Sequence, residues 1–219
     1  MTGPAARPGA ERSVVLASGN AGKLAELAPL LAAVGLHLRP QSEFAVDAAA
    51  ETATTFVENA LAKAHHLARA TGLPTLADDS GLIVDALQGA PGVRSARFAG
   101  DDAEDADNNR LLLERMAGIA DRRARFCCVL VLLRGPEDPL PLIAQGTWEG
   151  RILEAPRGSG GFGYDPLFLD PVSGRAAAEL SREEKSGRSH RGAAVRALRA
   201  GLEAAFGAAD QTAAATTGT

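Results

Sequence analysis

The sequence has few aromatic residues, little sulfur, no excess of positive charge and no long apolar run. Aromatic residues make up 4% of its 219 residues, and the net charge is −4. Without a strong positive charge, the chain has no general attraction for nucleic acid or for an anionic membrane. Residues 1–12 contain no apolar signal region. These absences predict a cytoplasmic globular protein without a nucleic-acid or membrane partner, in which any bound anion is held by a local cluster of donors.

The only two cysteines, Cys127 and Cys128, are adjacent and lie inside the apolar stretch Phe126–Leu133. This stretch is far too short to span a bilayer. Neighbouring residues of a strand point to opposite faces, so the pair forms neither a disulfide framework nor a CxxC site. We expect two small buried side chains in a reducing compartment.

Apolar periodicity divides the chain into alternating strands and helices, with a long hairpin in the middle. Predicted strands lie near Val14–Ala17, Leu36–Arg39, Thr75–Ala77, Arg125–Leu133 and Leu142–Leu153. Predicted helices lie near Leu24–Val34, from Thr55 to Gly72, near Leu111–Met116 and from Ser189 onward. This order predicts an α/β protein with a mixed sheet and two lobes around a cleft. The predicted domain covers residues 13–206, between disordered tails at 1–12 and 207–219.

Two helices carry unusual residues. Pro29 lies inside the first helical pattern and is expected to kink that helix, because proline supplies no amide for the preceding turn. Acidic residues at 101–107 precede the third helix. Because acids at a helix start are favoured by its dipole, we interpret this run as solvated capping and not as a metal site.

A glycine-rich turn follows the first predicted strand and leads into the first helix. It consists of Ser18, Gly19, Asn20, Ala21, Gly22 and Lys23. Free amides and the helix dipole favour an anion at such a turn, and the lysine adds a point charge. A Walker A loop would require glycine at Ala17 and Ser or Thr at Leu24, so this turn is not one. A phosphate-binding turn and a plain turn with a surface lysine both fit the segment.

Two adjacent carboxylates follow the third predicted strand, in the segment Asp78-Asp79-Ser80-Gly81. At a strand end before a small-residue turn, carboxylates suit a Mg²⁺ ion whose other ligands are phosphate oxygens. Adjacent strand residues diverge, so we expect one aspartate to face the cleft, with Glu51 as a second oxygen ligand. A capping Asp in a tight turn is the structural alternative.

A capping box at Thr55–Glu58 opens the second helix. Asn59 and Lys63 are four residues apart on the face away from Phe56. Lys63 is therefore a candidate for a second phosphate contact. A solvated surface lysine is the alternative explanation.

The segment Gly158–Gly163 spells GxGxxG, but Tyr164-Asp165-Pro166 follows it instead of a helix. A dinucleotide-binding motif opens a helix directly after a strand, so that interpretation fails. We interpret the segment as a flexible loop that brings its backbone and the Phe162 ring to a flat ligand. A glycine-rich surface turn with one buried aromatic residue is the alternative.

Several donors cluster near the start of the last helix, at Lys185 and in the segment Ser189-His190-Arg191-Gly192. Such a group suits a carbonyl-bearing ring edge or a phosphate. A basic helix cap on the surface is the alternative. The other histidines are interpreted as structural or exposed, and they are His37, His65 and His66.

Together these segments resemble the inosine/xanthosine triphosphate pyrophosphatase (Ham1-like) family of house-cleaning nucleotide hydrolases. Between Val14 and about Leu202, the matching segments are ASGNAGKLAEL, TFVENALAKA, LADDSGLIVDALQGAPGVRSARFAG, GGFGYDPLF and AELSREEKSGRSHRGAA. The resemblance implies an elongated mixed α/β fold with a cleft between two lobes, usually in a homodimer. It also implies Mg²⁺-dependent hydrolysis of deaminated purine nucleoside triphosphates, ITP or dITP and XTP or dXTP, to the monophosphate and pyrophosphate.

The resemblance also implies residue roles. Ser18–Lys23 and Lys63 would hold the triphosphate. Asp79 would be the proton acceptor and a metal ligand, and Ser80 would contact the substrate. Glu51 would be a further metal ligand, although it follows Ala50, where some relatives have another acidic residue. The implied base pocket consists of Phe162, Gly163, Tyr164, Asp165, Lys185, His190 and Arg191.

Hypoxanthine and xanthine carry an acceptor carbonyl where adenine carries an amino donor. Donors from Lys185, His190 or Arg191 would pair with that carbonyl, and a buried donor left unpaired costs about 1–3 kcal/mol. Two other functions fit parts of the pattern. A Maf-like nucleotide pyrophosphatase is one, although the SHRG and GGFGYDP segments argue against it. A nucleotide-binding regulatory protein without turnover is the other.

Overall fold

A computed structural model gives the backbone of residues 12–215 and the side chains of residues 12–202. The strands are β1 Arg12–Ala17, β2 Leu36–Pro40, β3 Thr75–Val84, β4 Arg123–Leu133, β5 Leu142–Ile152, β6 Phe168–Asp170 and β7 Arg175–Ala176. The α-helices are α1 Ala21–Ala32, α2 Phe56–Thr71, α3 Asp105–Arg115, α4 Arg182–Arg188 and α5 His190–Ala215. Short 3₁₀ helices cover Gln41–Phe44, Asp85–Leu87, Gly92–Arg97, Asp165–Leu167 and Ala177–Glu179.

The strands form one mixed sheet in the order β2-β1-β3-β4-β5-β6-β7. β1 runs parallel to β2 and to β3, whereas β3 through β7 pair in antiparallel fashion. Helices flank this sheet on both faces. The predicted α/β fold with a mixed sheet is therefore confirmed.

The three long strands β3, β4 and β5 join two packed regions. Each has 10 or 11 residues, which corresponds to about 33–37 Å of extended chain. At one end, apolar side chains of the sheet pack against α1 and α5 on one face and against α2 on the other. At the other end, a separate cluster forms around Phe126, Trp148 and Phe168 and includes residues of α3. These regions are the two predicted lobes.

Local hydrogen bonds explain where the first two helices begin. Asn20 Oδ1 accepts from the Lys23 amide at 2.9 Å at the start of α1. Thr55 Oγ1 accepts from the Glu58 amide at 3.3 Å at the start of α2, as the capping box predicts. α1 is assigned as one helix through Pro29, and the expected kink there stays a prediction.

The predicted strand end at Asp78-Asp79, with a small-residue turn after it, is wrong, because β3 runs without interruption through residues 78–81. Every residue of β3 pairs with β4, and this ladder outweighs the turn tendency of the Asp, Ser and Gly residues. Glycine is needed at position 81 because the 3₁₀ helix Gly92–Arg97 lies very close to β3 at this point, and not because the chain turns there. A Cβ atom on Gly81 would lie 2.4 Å from the Gly92 carbonyl oxygen and from Ser95 Oγ.

Other element limits differ in smaller ways from the predictions. α3 begins at Asp105, earlier than the predicted Leu111, and the Glu104 amide donates to Asp107 Oδ2 at 3.3 Å. The acidic run thus caps the helix, as expected. The backbone of α5 continues to Ala215, past the predicted end at residue 206. Residues 1–11 and 216–219 lie outside the described residues, so the predicted tails and domain limits stay predictions.

The two cysteines are buried on opposite faces of the sheet, which confirms their predicted structural place. Cys127 belongs to the apolar cluster under α2, and Cys128 belongs to the cluster under α1 and α5. Within the described part of the chain, no helix combines the length and the hydropathy needed to cross a membrane.

Candidate functional site

A cavity of about 220 Å³ opens between the turn after β1, the middle of α2 and the middle of β3. We call it the phosphate-end cavity. Its lining includes Ser18, Gly19, Asn20, Lys23, Glu51, Lys63, Asp79 and Ser80. The structure therefore brings together most of the predicted phosphate and metal residues. Ala21 and Gly22 lie in the first turn of α1 and do not line this cavity.

Lys63 forms the centre of the phosphate-end cavity. Its Nζ donates to Glu51 Oε1 at 2.9 Å, to Asp79 Oδ1 at 2.8 Å and to the Asp78 carbonyl oxygen at 2.8 Å. These contacts use all three ammonium donors. Burial alone would lower the pKa of Lys63, but attraction to Asp79 and Glu51 raises it. Lys63 is therefore a buried cation and not the solvated surface lysine of the alternative explanation.

Asp79 differs from Glu51 in the state of its second oxygen. Asp79 Oδ2 is buried and has no hydrogen-bond partner among the described residues. Burial raises the pKa of Asp79 even though Lys63 acts in the opposite direction. Both oxygens of Glu51 are engaged, because Arg97 Nη2 donates to Oε2 at 3.2 Å. Asp79 thus offers the one carboxylate oxygen of the pair that is open to a further partner.

Asp78 points to the opposite face of the sheet from Asp79, as strand alternation predicts. Its Oδ2 lies 3.3 Å from Lys23 Nζ and 3.6 Å from Arg191 Nε, and Ser80 Oγ donates to Oδ1 at 2.7 Å. Burial alone would raise the pKa of Asp78, but Lys23 and Arg191 hold it well below its usual range. Asp78 therefore joins the phosphate turn to the helix that begins at His190.

A second cavity, of about 80 Å³, adjoins the first, and we call it the base-end cavity. Its lining includes Phe162, Gly163, Tyr164, Asp165, His190 and Arg191. It shares Asn20, Lys23 and Ser80 with the phosphate-end cavity. Of the predicted base-pocket residues, only Lys185 lies outside this lining. Its ammonium group donates to Asp165, which does line the cavity.

The Phe162 ring lies close to α1 and to two cations. Its centroid lies 5.3 Å from Lys185 Nζ and 5.1 Å from Arg191 Cζ. A Cβ atom on Gly22 would lie 2.8 Å from the ring. Gly22 therefore serves the predicted site indirectly, because only glycine lets the ring approach α1 this closely.

Glu26 is a site residue that the sequence analysis missed. Its Oε1 accepts from Lys185 Nζ at 2.5 Å and its Oε2 accepts from Arg191 Nη1 at 2.8 Å. Lys185 also donates to the buried Asp165. Burial raises the pKa of Asp165, although Lys185 acts in the opposite direction. One sequence feature could have indicated Glu26, which is its position three residues after Lys23 on the same helical face.

The glycine-rich loop is tied to the far lobe at both sides of Gly163. The Gly163 amide donates to Asp105 Oδ2 at 2.6 Å, and its carbonyl accepts from Asn109 Nδ2 at 2.8 Å. Tyr164 is buried, and its hydroxyl donates to the Ser95 carbonyl at 2.8 Å. Its side chain therefore acts as an anchor for the loop and not as a free ligand donor.

His190 stacks on Phe126, with ring centroids 4.8 Å apart and an interplanar angle of 16°. Burial lowers the pKa of His190 well below its usual value, so the ring is neutral. Its Nδ1 is buried without a partner in the described part of the chain. His190 can therefore offer one neutral ring nitrogen to a ligand at the base end.

The donor set fits a divalent cation that is shared with phosphate. No group of three or more His, Cys, Asp or Glu side chains suited to a metal occurs among the residues that the structure describes. Mg²⁺ commonly binds proteins through one or two carboxylates, while water and substrate phosphates complete its shell. The open Oδ2 of Asp79 meets that requirement, and Glu51 lies across Lys63 from it.

A model of the Ham1 family matches residues 14–201 of the chain. The dITP/XTP pyrophosphatase of Escherichia coli (strain K12) is 56% identical over 189 residues, which cover 85% of this chain and 96% of that protein. The dITP/XTP pyrophosphatase of Aromatoleum aromaticum is 59% identical over 192 residues, which cover 88% of this chain and 97% of that protein.

Solved structures show the same similarity. A HAM1 protein from Coxiella burnetii aligns with a TM-score of 0.80 and 50% identity, over 87% of this chain and 98% of that one. The Ham1 protein of Staphylococcus aureus aligns with a TM-score of 0.78 and 39% identity, over 88% of this chain and 99% of that one. The matched region of the family model contains both cavities and all the predicted site residues.

Proposed function

The chain belongs to the Ham1 family, and from this membership we propose that it hydrolyses non-canonical purine nucleoside triphosphates such as dITP and XTP. The products are the nucleoside monophosphate and pyrophosphate. One observation of the structure carries the proposal. The phosphate-end and base-end cavities share the lining residues Asn20, Lys23, Ser80 and Ala96, so a nucleotide bound across them would place its phosphates at one end and its base at the other.

The triphosphate is bound by the turn Ser18–Lys23 and by Lys63. The first amides of α1 point toward this turn, and the helix dipole favours negative charge there. Lys23 is held near Asp78 and Lys63 is held between Asp79 and Glu51. Two lysines fixed in this way present positive charge to the phosphates before the substrate binds.

Asp79 is the proton acceptor for the attacking water. Its Oδ1 accepts from Lys63, and its Oδ2 has no hydrogen-bond partner among the described residues, which leaves it for the water. A carboxylate with a raised pKa is a stronger base than an ordinary aspartate, which suits this role. Asp79 and Glu51 would hold Mg²⁺, which when bound neutralises phosphate oxygens and lowers the pKa of water. Glu51 Oε1 is shared with Lys63, so a cation that Glu51 binds would compete with this ion pair.

The base-end residues select a 6-oxo purine. Lys185 lies just outside the base-end cavity and has three donors, of which Glu26 and Asp165 accept two, so one remains for the carbonyl of a base that reaches past Asp165. The neutral His190 ring and the Arg191 guanidinium lie beside it, and Phe162 supplies an aromatic face. Adenine presents an amino group at the same position. That group and the protein donors would then face each other, and both would be buried without a hydrogen-bond partner.

Mg²⁺ as the metal, a homodimeric assembly and a cytoplasmic location are parts of the same proposal. Their support is the resemblance to the family and not a contact in this chain. Light scattering coupled to gel filtration tests the assembly, with an expected mass of twice the 22.5 kDa of one chain.

Pyrophosphate release from a panel of nucleotides tests the proposed activity. We expect release from ITP, dITP and XTP, much slower release from ATP and pyrimidine triphosphates, and none with EDTA. Asp79→Asn should lower its rate by about 10²–10⁴-fold, whereas Asp121→Asn, on an exposed ion pair with Arg123, should leave it unchanged. Comparable kcat/KM values for ATP and ITP would contradict the proposed selectivity. Tight ITP binding without any pyrophosphate release would instead indicate a regulatory protein.

A further inference from the structure

The Glu51 carboxylate is held from two sides by cations of different elements. Lys63 on α2 contacts Oε1 at 2.9 Å, and Arg97 contacts Oε2 at 3.2 Å. Glu51 lies in a segment, residues 46–55, that has no helix or strand. A carboxylate on such a segment needs side-chain contacts to keep a defined position.

Lys63 alone cannot hold Glu51 firmly, because its ammonium group is shared. The same Nζ atom donates to Asp79 and to the Asp78 carbonyl as well as to Glu51. Any phosphate that approaches Lys63 competes for these donors. A phosphate at Lys63 does not compete for the Arg97 contact, because Arg97 binds the other oxygen of Glu51.

Arg97 lies on a short helix that is fastened to the sheet. In the 3₁₀ helix Gly92–Arg97, Ser95 Oγ accepts from the Leu82 amide of β3 at 2.8 Å and donates to the Gly92 carbonyl at 2.6 Å. The Tyr164 hydroxyl donates to the Ser95 carbonyl. This helix therefore has a fixed position relative to β3, which carries Asp79.

The alternative partner of Arg97 is weak. Asp101 Oδ1 lies 3.9 Å from Arg97 Nε, and the Asp101 side chain is 83% exposed. The Glu51 side chain is 26% exposed, so its contact with the arginine is better shielded from water. Glu51 is thus the main partner of Arg97.

We propose that Arg97 is a positioning residue that holds Glu51 by Oε2 and thereby keeps its other oxygen beside Lys63 and Asp79, where a divalent cation binds. This inference rests on the proposed function, because it assumes a cation at the phosphate end. Arg97 touches neither the substrate nor the cation, and it acts only through Glu51. Partners of this kind, when removed, commonly weaken metal binding by about 10–100-fold.

The first test compares Arg97→Ala with Arg94→Ala. Arg94 is an exposed arginine of the same 3₁₀ helix and serves as the matched control. In Arg97→Ala, the Mg²⁺ concentration that gives half the maximal rate should rise by about 10-fold, with little change in the rate at saturating Mg²⁺ and ITP. Arg97→Lys should recover part of the loss, and Arg94→Ala should match the wild-type protein.

The second test measures Mn²⁺ binding by the free-ion signal in electron paramagnetic resonance, which needs no turnover. Mn²⁺ should bind more weakly to Arg97→Ala and to Glu51→Gln, and the double variant should bind no more weakly than Glu51→Gln alone. Losses that multiply in the double variant would overturn the inference, and so would an equal loss in Arg94→Ala or a lower melting temperature with unchanged Mn²⁺ affinity. If Mn²⁺ binding depends on Arg97 while no nucleotide releases pyrophosphate, the inference holds and the proposed function fails.

Discussion

Each end of the cleft contains a buried lysine between two carboxylates, but the two sets differ in one atom. The sets are Lys63 with Asp79 and Glu51 at the phosphate end, and Lys185 with Asp165 and Glu26 at the base end. At the base end, Asp165 Oδ2 accepts from Lys185 and from the Phe162 amide. At the phosphate end, Asp79 Oδ2 has no partner among the described residues.

This difference separates a reactive site from a rigid one. A buried carboxylate oxygen without a partner is costly, so its retention indicates a proton or a cation that it receives during function. At the base end, no oxygen of Asp165 or Glu26 is both buried and without a partner, and the ion pairs there orient donors toward a ligand. The same three charges can thus serve chemistry at one end and recognition at the other.

The largest expected effect distinguishes the two aspartates. Asp79→Asn removes the proposed base and should lower kcat by about 10²–10⁴-fold, because an amide cannot accept the proton. Asp165→Asn should act mainly on KM for ITP, because it alters the base end. Steady-state kinetics of both variants with ITP measure this split. A loss of kcat in Asp165→Asn as large as in Asp79→Asn would remove the distinction between the two ends.

Local sequence patterns predicted much of the fold and most of the candidate site. The capping box at Thr55, the turn at Ser18–Lys23 and the start of the last helix at His190 depend on interactions over a few residues. Such short-range signals can be read directly from the chain. The divergence of Asp78 and Asp79 followed from strand alternation alone.

Contacts between distant segments could not be predicted in the same way. The segment at residues 78–81 reads locally as a turn, and only its pairing with β4 makes it a strand. Glu26 and Lys185 are 159 positions apart in the chain, yet they form an ion pair. Arg97 meets Glu51 across 46 positions. Nothing in the local spacing of these residues indicates the contact, which depends on how the lobes pack.

The next effect concerns stability. Lys185→Ala leaves Glu26 and the buried Asp165 without their shared cation, so the free energy of unfolding should fall by about 3–5 kcal/mol. Lys63→Ala should cost less, because Asp79 lines the larger cavity, of about 220 Å³, where water can replace the lost cation more easily than beside Asp165 in the cavity of about 80 Å³. Urea denaturation of both variants measures the difference, with Arg182→Ala, an exposed residue of α4, as the control. An equal or larger loss in Lys63→Ala would show that the base end is not the more rigid one.

The aromatic ring at the base end should have a smaller effect on catalysis. Phe162→Leu keeps an apolar side chain but removes the flat face, and stacking of a base on an aromatic ring contributes about 1–3 kcal/mol. We therefore expect kcat/KM for ITP to fall by roughly 5–150-fold, mostly through KM. Phe162→Tyr retains the ring and should stay close to the wild-type value. Equal losses in both variants would argue for a packing role of the side chain.

The smallest expected effect is a shift in the pH dependence of kcat, which we expect when the lysine at the phosphate end is replaced and not when the lysine at the base end is replaced. Asp79 must be deprotonated to accept a proton, so kcat rises as the pH increases through its pKa. Lys63 lowers the pKa of Asp79, whereas burial raises it. Replacement of this cation in Lys63→Met should therefore raise the pKa further and move the acid limb of kcat to higher pH.

The control for this shift is Lys185→Met, which removes the equivalent cation at the base end. It should leave the acid limb of kcat in place, because Lys185 contacts Asp165 and Glu26 and not Asp79. The profiles are measured at saturating Mg²⁺ and ITP, so that weaker binding does not imitate a change in protonation. A limb that moves in both variants, or that moves to lower pH in Lys63→Met, would show that Asp79 is not the group whose deprotonation limits kcat.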